Sequence, residues 1–162
     1  MTETVDAAVN DQLNLELSSA YAYLSMSGYF EASGLQGFGR WMRLQAKEEV
    51  GHAMRFFDFL NDRGSPVALQ PIAAPAAEFA SPLAAFEQAL EHERRVTGAI
   101  HALYDLAARE GDHAIQPILL SFISEQVEEE KTARDIVDRL RMIGGGTAGI
   151  LVLDHHLGKR GS

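Results

Sequence analysis

Apolar residues recur at alternating spacings of three and four over four long stretches of the chain, the period of helices that each bury one stripe against their neighbours. The first stripe reads Val9, Leu13, Glu16, Ala20, Tyr23, Ser27 and Phe30, and the second Phe38, Met42, Gln45, Glu49, His52, Phe56 and Phe59. The third is Leu83, Phe86, Leu90, Glu93, Thr97, Ile100, Tyr104 and Ala107; the fourth is Ile115, Leu119, Phe122, Gln126, Glu129, Ala133, Ile136, Leu140 and Ile143. The pattern predicts helices over about 4–33, 36–63, 82–109 and 112–143. Gly34, Gly64 and Gly111 sit where the first three should stop, because glycine takes the left-handed conformation that ends a helix. Ser81 and Pro82 have the side chains expected at the cap and first position of the third helix. Pro117 should kink the first turn of the fourth helix or delay its start. Beyond Gly144, Gly145 and Gly146, a short apolar segment predicts a fifth helix over about 149–157.

The connections constrain how these helices are arranged. Those at Gly34 and Gly111 are tight, so the first two helices and the last two each form an antiparallel hairpin. The segment 64–80 is long and carries Pro66, Pro71 and Pro75. Fully extended it reaches about 55 Å at roughly 3.3 Å per residue, more than the roughly 42 Å of a helix of this size. The expected fold is therefore an all-α four-helix bundle in one domain over 1–162, up-down-down-up with one long crossover, plus the short C-terminal helix. A loose linker between two hairpins is the alternative.

Each stripe is apolar at both ends and polar in the middle. In an antiparallel hairpin, residues equally distant from the turn lie at the same height, so Glu16 reflects onto Ala53, beside His52 and a turn from Glu49. Glu93 reflects onto Glu128, next to Glu129. Both hairpins thus bring their charges to mid-height, in one layer. Two carboxylates about 5 Å apart repel by about 3 kcal/mol even at an effective dielectric near 20. Glu16, Glu49, Glu93 and Glu129 carry four negative charges, which two divalent cations would neutralise, while Glu49 and His52 present oxygen and nitrogen to one of them. A protonated or salt-bridged layer that fixes helix register is the alternative, though no Lys or Arg lies on the four stripes.

Composition narrows the chemistry. The 162 residues are 46% hydrophobic, enough for one continuous core, and contain no cysteine. Any metal must then be held by oxygen and imidazole nitrogen, and disulfides, thiolate zinc and iron–sulfur clusters are excluded. A net charge of -9 with scattered Lys and Arg argues against a nucleic-acid partner. The N-terminus lacks a basic and then apolar leader, and no stretch is long and uncharged enough for a membrane, so a cytoplasmic location is expected.

Glu16 in Asn-Leu-Glu-Leu, the run Glu48-Glu49-Val50-Gly51-His52, Glu93, and the run Glu125-Gln126-Val127-Glu128-Glu129 resemble the ferroxidase motifs of bacterial non-heme ferritins. The likeness spans nearly the whole chain, crossover and terminal helix included. It implies an iron-storing subunit that oxidises Fe(II) with O2 or peroxide and deposits ferric mineral inside a homo-oligomeric shell, of 24 subunits in that family. By the same resemblance Glu16, Glu49 and His52 bind the first iron, Glu93 and Glu129 the second, Glu49 bridges them, and Gln126 sits beside them. Glu48, Glu125 and Glu128 match a third iron site, with a solvated acidic face as the alternative. Tyr23 matches a tyrosine that hydrogen-bonds near the site and donates an electron; plain core packing is its alternative.

The chain also departs from its relatives. Heme-containing bacterioferritins carry methionine directly after the second-helix glutamate, where this chain has Val50, so no heme is expected. They place Glu-x-x-His on the fourth helix, where Gln126 and Glu129 stand here, which makes the two metal positions unequal and suits iron in transit. The acidic pair that lines an iron-admitting pore in animal ferritins falls on Gln116 and Leu119, leaving the route open. Trp41 is expected to pack, and His92, His101 and His113 to be exposed. His155 and His156 would line a symmetry channel or simply lie exposed. Gly28, Gly51 and Gly98 would mark close approach between chains. A di-iron oxidase or peroxidase for a small substrate, and a non-catalytic helical interaction module, are the rival readings.

Overall fold

The computed structural model describes residues 3–162; Met1 and Thr2 lie outside the described residues. Five helices account for the described chain: α1 (Glu3–Ala32), α2 (Gln36–Asp62), α3 (Pro82–Arg109), α4 (Gln116–Ile143) and α5 (Thr147–Leu157). No strand occurs among the described residues.

Three of the helices end in the same way. Leu35 N–H bonds to Phe30 O at 2.9 Å, Ser65 N–H to Leu60 O at 2.9 Å and Asp112 N–H to Ala107 O at 2.8 Å. Each bond closes over a glycine, with φ of 77° at Gly34, 70° at Gly64 and 69° at Gly111. These are the paired carbonyl-capping turns that a left-handed residue permits. The third helix opens as expected, with Ser81 Oγ accepting from Ala84 N–H at 3.0 Å.

The fourth helix starts at Gln116, four residues later than the 112 expected from the apolar period. Pro117 has no N–H to give to the carbonyl of residue 113, and its ring would collide with that carbonyl if the helix began earlier. The proline therefore lies in the first turn.

Side-chain contacts fix the helix directions. Ser27 bonds Gly39 O while His52 faces Glu16, so α1 and α2 are antiparallel. Phe30 packs on Phe86 while Tyr23 reaches Glu93, so α1 and α3 are antiparallel as well. It follows that α2 and α3 run the same way, which is the up-down-down-up order with a full-length crossover. That crossover lies along α1. Asn10 Nδ2 donates to Pro66 O at 3.1 Å and its Oδ1 accepts from Ala68 N–H at 2.7 Å. Asn14 repeats the pattern on Ala68 O at 2.8 Å and Gln70 N–H at 2.9 Å. Further along, Ser25 bonds Ala76 O and Phe79 packs on Tyr29. The two asparagines thus satisfy backbone groups of a segment that has no ladder of its own.

The core is divided. One apolar half gathers Phe30, Phe38, Trp41, Met42, Phe86 and Leu140 around the α1–α2 turn. The other gathers Val9, Leu13, Phe56, Leu60, Ile100 and Phe122 at the opposite end. Between them lie the buried polar residues Gln12, Glu16, Gln45, Glu49, Glu93 and Gln126. Trp41 packs as expected, buried against Phe86.

Candidate metal centre

Mid-height in the bundle, Glu16 and Glu49 with His52 offer three ligand atoms that all lie within 4.8 Å of one another. Glu49, Glu93 and Glu129 form a second such group, again within 4.8 Å. Glu49 belongs to both. The shared carboxylate comes from α2, and the other four residues come from all four long helices, so only the assembled bundle builds the pair. Glu16 is fully buried, and Glu49 and Glu93 are each 2% exposed.

The first group is braced from two sides. Gln12, one turn before Glu16, donates to its Oε1 at 3.0 Å. No protein donor reaches the buried Glu16 Oε2; it faces Glu49, to which Glu16 donates while it holds a proton, a place that a cation can take instead. His52 turns Nδ1 toward Glu49 Oε2 at 3.2 Å and Glu16 Oε2 at 3.9 Å. Its other nitrogen, Nε2, faces Glu125 at 3.6 Å, the outer carboxylate placement common behind ligating histidines. Arg55 holds Glu125 through bonds of 3.1 and 3.0 Å and lies over the Phe122 ring at 3.9 Å.

The second group is braced by amides and a phenol. Gln45 Nε2 donates to Glu49 Oε1 at 2.8 Å and to Glu129 Oε2 at 3.0 Å. Gln126 Nε2 donates to Glu93 Oε2 at 3.1 Å and shares Thr97 Oγ1, also at 3.1 Å. Tyr23 donates its hydroxyl to Glu93 Oε1. Hard oxygens plus one imidazole suit iron, manganese or zinc rather than a thiophilic ion.

Without a cation this layer stores protons. Burial, with the nearby Glu49 charge, raises Glu16 well above the usual carboxylate range. The same causes raise Glu93 to about 8 and Glu129 to about 7, with Glu48 adding to the latter. Burial pushes Glu49 upward and is the largest single effect there, but the hydrogen bonds from His52, Glu16 and Gln45, with the His52 charge, together outweigh it and the net shift is down. His52 is correspondingly raised: burial alone would lower it, and the bond and charge of Glu49 prevail. The shifts favour negative charge on Glu49 beside a proton on His52, and favour protons on the other carboxylates, which an incoming cation would displace.

Glu48, Glu125 and Glu128 are not gathered into one group among the described residues. Glu48 pairs with Arg160 at 3.0 Å and Glu125 with Arg55 at 3.0 Å, while Glu128 is exposed. Leu119 is fully buried in the core. His101, His113, His155 and His156 are exposed, but His92 is not. Its Nε2 meets Ser19 Oγ and its ring stands edge-on to Tyr23, in a cleft that Pro75 and Ala76 of the crossover also line. Within the chain, a Cβ at Gly28, Gly51 or Gly98 would meet nothing within 4 Å, whereas one at Gly37, Gly39 or Gly149 would come within 3 Å of a neighbour. Sequence reasoning gave no role to Gln12 and Gln45. Their signal was present, since each stands four residues before a buried glutamate on the same helix face.

A four-helix bundle with a carboxylate–histidine centre straddling its two hairpins is the class that fold and site define. Residues 6–143 match the ferritin-like domain, and the chain belongs to the ferritin family. It is 42% identical to a bacterial non-heme ferritin of Bacteroides fragilis (strain 638R) over 160 residues, 99% of either chain. It is 38% identical to a bacterial non-heme ferritin of Staphylococcus epidermidis (strain RP62A) over 154 residues, 95% of this chain and 93% of the relative. Among solved structures, an open pore ferritin from the hyperthermophilic archaeon Archaeoglobus fulgidus superposes with a TM-score of 0.97 at 48% identity, covering 99% of each chain. Among the described residues, no helix is long and apolar enough to cross a membrane.

Proposed function

We propose that this chain is the subunit of a cytoplasmic iron store, oxidising Fe(II) at the two interlocked groups and passing ferric product to a mineral inside a homo-oligomeric shell. The observation that carries the reading is the sharing of Glu49 between Glu16–His52 and Glu93–Glu129. One carboxylate common to two sites holds two substrate ions close enough to be oxidised together. Each Fe(II) gives up one electron, and the pair supplies the two electrons that reduce O2, with two protons, to hydrogen peroxide; peroxide can serve as oxidant in its turn.

Carboxylates favour this direction, because Fe(III) is harder and more highly charged than Fe(II) and gains more from anionic oxygen. His52 and Glu129 occupy corresponding places in the two groups, so one site has a neutral nitrogen where the other has a carboxylate. That inequality suits product that leaves over a cofactor that stays. Glu48, Glu125 and Glu128 form the exit side in this reading, a third iron position for which Arg55 and Arg160 compete. Family membership supports assembly into a shell, for which 24 subunits is the proposed number.

Size-exclusion chromatography after Fe(II) addition in air, with iron counted per chain, tests the proposal. A large particle carrying many iron atoms per chain is expected. A small species holding two iron atoms per chain would indicate a di-iron oxidase instead, and one holding none would end the metal reading.

A further inference from the structure

The C-terminal segment reaches the metal centre through one side chain. α5 is seated on the first turn of α2, where Asp154 Oδ1 accepts from Phe38 N–H at 2.8 Å. Leu35 at the cap position provides no side-chain bond, so the carboxylate of another helix supplies it. The two helices are in tight contact: a Cβ on Gly37 would lie 1.8 Å from the Asp154 carbonyl oxygen. This seating aims the residues after α5 back along α2 toward the centre.

Arg160 is where that segment engages. Its guanidinium lies over the Trp41 ring at 4.5 Å, and Nη1 donates to Trp41 O at 3.1 Å. Nη2 donates to Gln45 Oε1 at 2.9 Å and pairs with Glu48 Oε1 at 3.0 Å. Arginine has donors only, so the Gln45 atom facing it must be the carbonyl oxygen. The Gln45 amide nitrogen is then forced to the opposite side, where Glu49 and Glu129 accept from it at 2.8 and 3.0 Å. Were the amide reversed, its oxygen would face two carboxylates, and its NH2 would face a guanidinium.

We propose that Arg160 is a positioning residue for the metal centre, fixing the Gln45 amide so that it orients Glu49 and Glu129, which stand on different hairpins. The inference rests on the metal reading given under Proposed function. It implies that docking of the C-terminal segment and the geometry of the second metal position are coupled, although Arg160 touches none of the five residues of the two interlocked groups itself.

Co(II) tests this on the intact protein, because it does not undergo the oxidation and its visible absorption reports its ligand geometry. Wild type should take up two Co(II) per chain at the centre. R160A and Q45L should each weaken the second Co(II) by about tenfold or more and alter its spectrum, the scale on which outer partners of metal ligands act. R160K should retain part of the affinity. The double variant R160A/Q45L should bind no more weakly than Q45L alone, since both changes remove one linkage.

Wild-type Co(II) affinity and spectrum in R160A would overturn the proposal, even if melting temperature fell through loss of the Trp41 contact. So would losses that add in full in the double variant. If R160A fails to fold, R160K against Q45L carries the same comparison. If wild type itself takes up no Co(II) pair, the metal reading fails and this inference goes with it.

Discussion

Tyr23 on α1 and Glu93 on α3 are joined across the bundle by a hydrogen bond in which the phenol donates to Oε1. With Gln126 on Oε2, both oxygens of Glu93 receive donors, whereas no protein donor reaches Oε2 of Glu16. Tyr23 is thus tied to the second metal position and not to the first. Y23F should leave the fold intact, because the ring still packs at 2% exposure, and should destabilise the metal-free protein by about 1 kcal/mol for the lost bond. Stopped-flow oxidation should slow by less than about tenfold, the lower end of what an outer partner contributes.

Glu49 and His52 differ in how much of the centre depends on them. Glu49 serves both groups and His52 one. E49A is expected to abolish paired metal binding and slow rapid Fe(II) oxidation by more than about 100-fold, beyond the range of outer-partner losses. H52A should spare one ion per chain while still slowing the rapid phase severely. Metal counts per chain beside the oxidation traces check both; equal counts in the two variants would contradict the shared role of Glu49.

The metal-free protein should become less stable as pH rises. Glu93 titrates at about 8 rather than 4.5 and Glu129 at about 7 rather than 4.5. Between those limits the folded chain holds protons that the unfolded chain has released, so stability present below 4.5 declines until pH passes the folded values. His52, raised above 6.5, acts in the same direction, being favourable below its ordinary value and lost through the raised one. Glu49, shifted down from 4.5, matters only under more acid conditions, where its contribution is lost as pH falls. Calorimetric melting should therefore show a fall in Tm from about pH 5 to about pH 8, flattened by saturating Zn(II), which replaces the protons. A Tm that holds level without metal would mean that these carboxylates ionise normally.

E16Q should separate stability from function. Glu16 can donate to Glu49 only while it holds a proton, whereas an amide there presents a donor toward the Glu49 carboxylate at every pH. Keeping that donor is worth on the order of 1 kcal/mol, or roughly 2–4 °C for a chain of this size. The variant should melt higher than metal-free wild type and lose tight binding at the first position. Thermal scans with and without Zn(II) would check the pair of effects, and a lower Tm would contradict it.

Much of this was legible in the sequence because the centre interrupts strongly periodic helices. Glu16, Glu49, His52, Glu93 and Glu129 stand on otherwise apolar stripes, and the tight turns at Gly34 and Gly111 make equal distance from the turn equivalent to equal height. The start of α4 was legible only in part: Pro117 announces a kinked or delayed start, but Ile115 keeps the apolar period yet lies before the helix, fully buried from the turn. His92 was misjudged for a different reason: the crossover roofs the cleft beside it, and helical periodicity does not reveal where a proline-rich loop lies. Arg160 lies outside every stripe, 115 residues from its partner Gln45, so no local pattern announces it. Glu48 neighbours Glu49 in sequence, but a helix turns adjacent residues about 100° apart, and no helical pattern shows that Glu48 pairs with Arg160 and Glu125 with Arg55.

The division of the centre between the hairpins bears on the order in which a growing chain could acquire it. Residues up to the end of α2 include Glu16, Glu49 and His52, so the first hairpin carries a complete ligand group before α3 has been synthesised. Glu93 and Glu129 arrive with the second hairpin, yet their group stays unfinished without Glu49. A cation bridging the two groups would therefore also clasp two local folding units together, tightening an association that apolar burial above and below the layer must otherwise achieve against the repulsion within it.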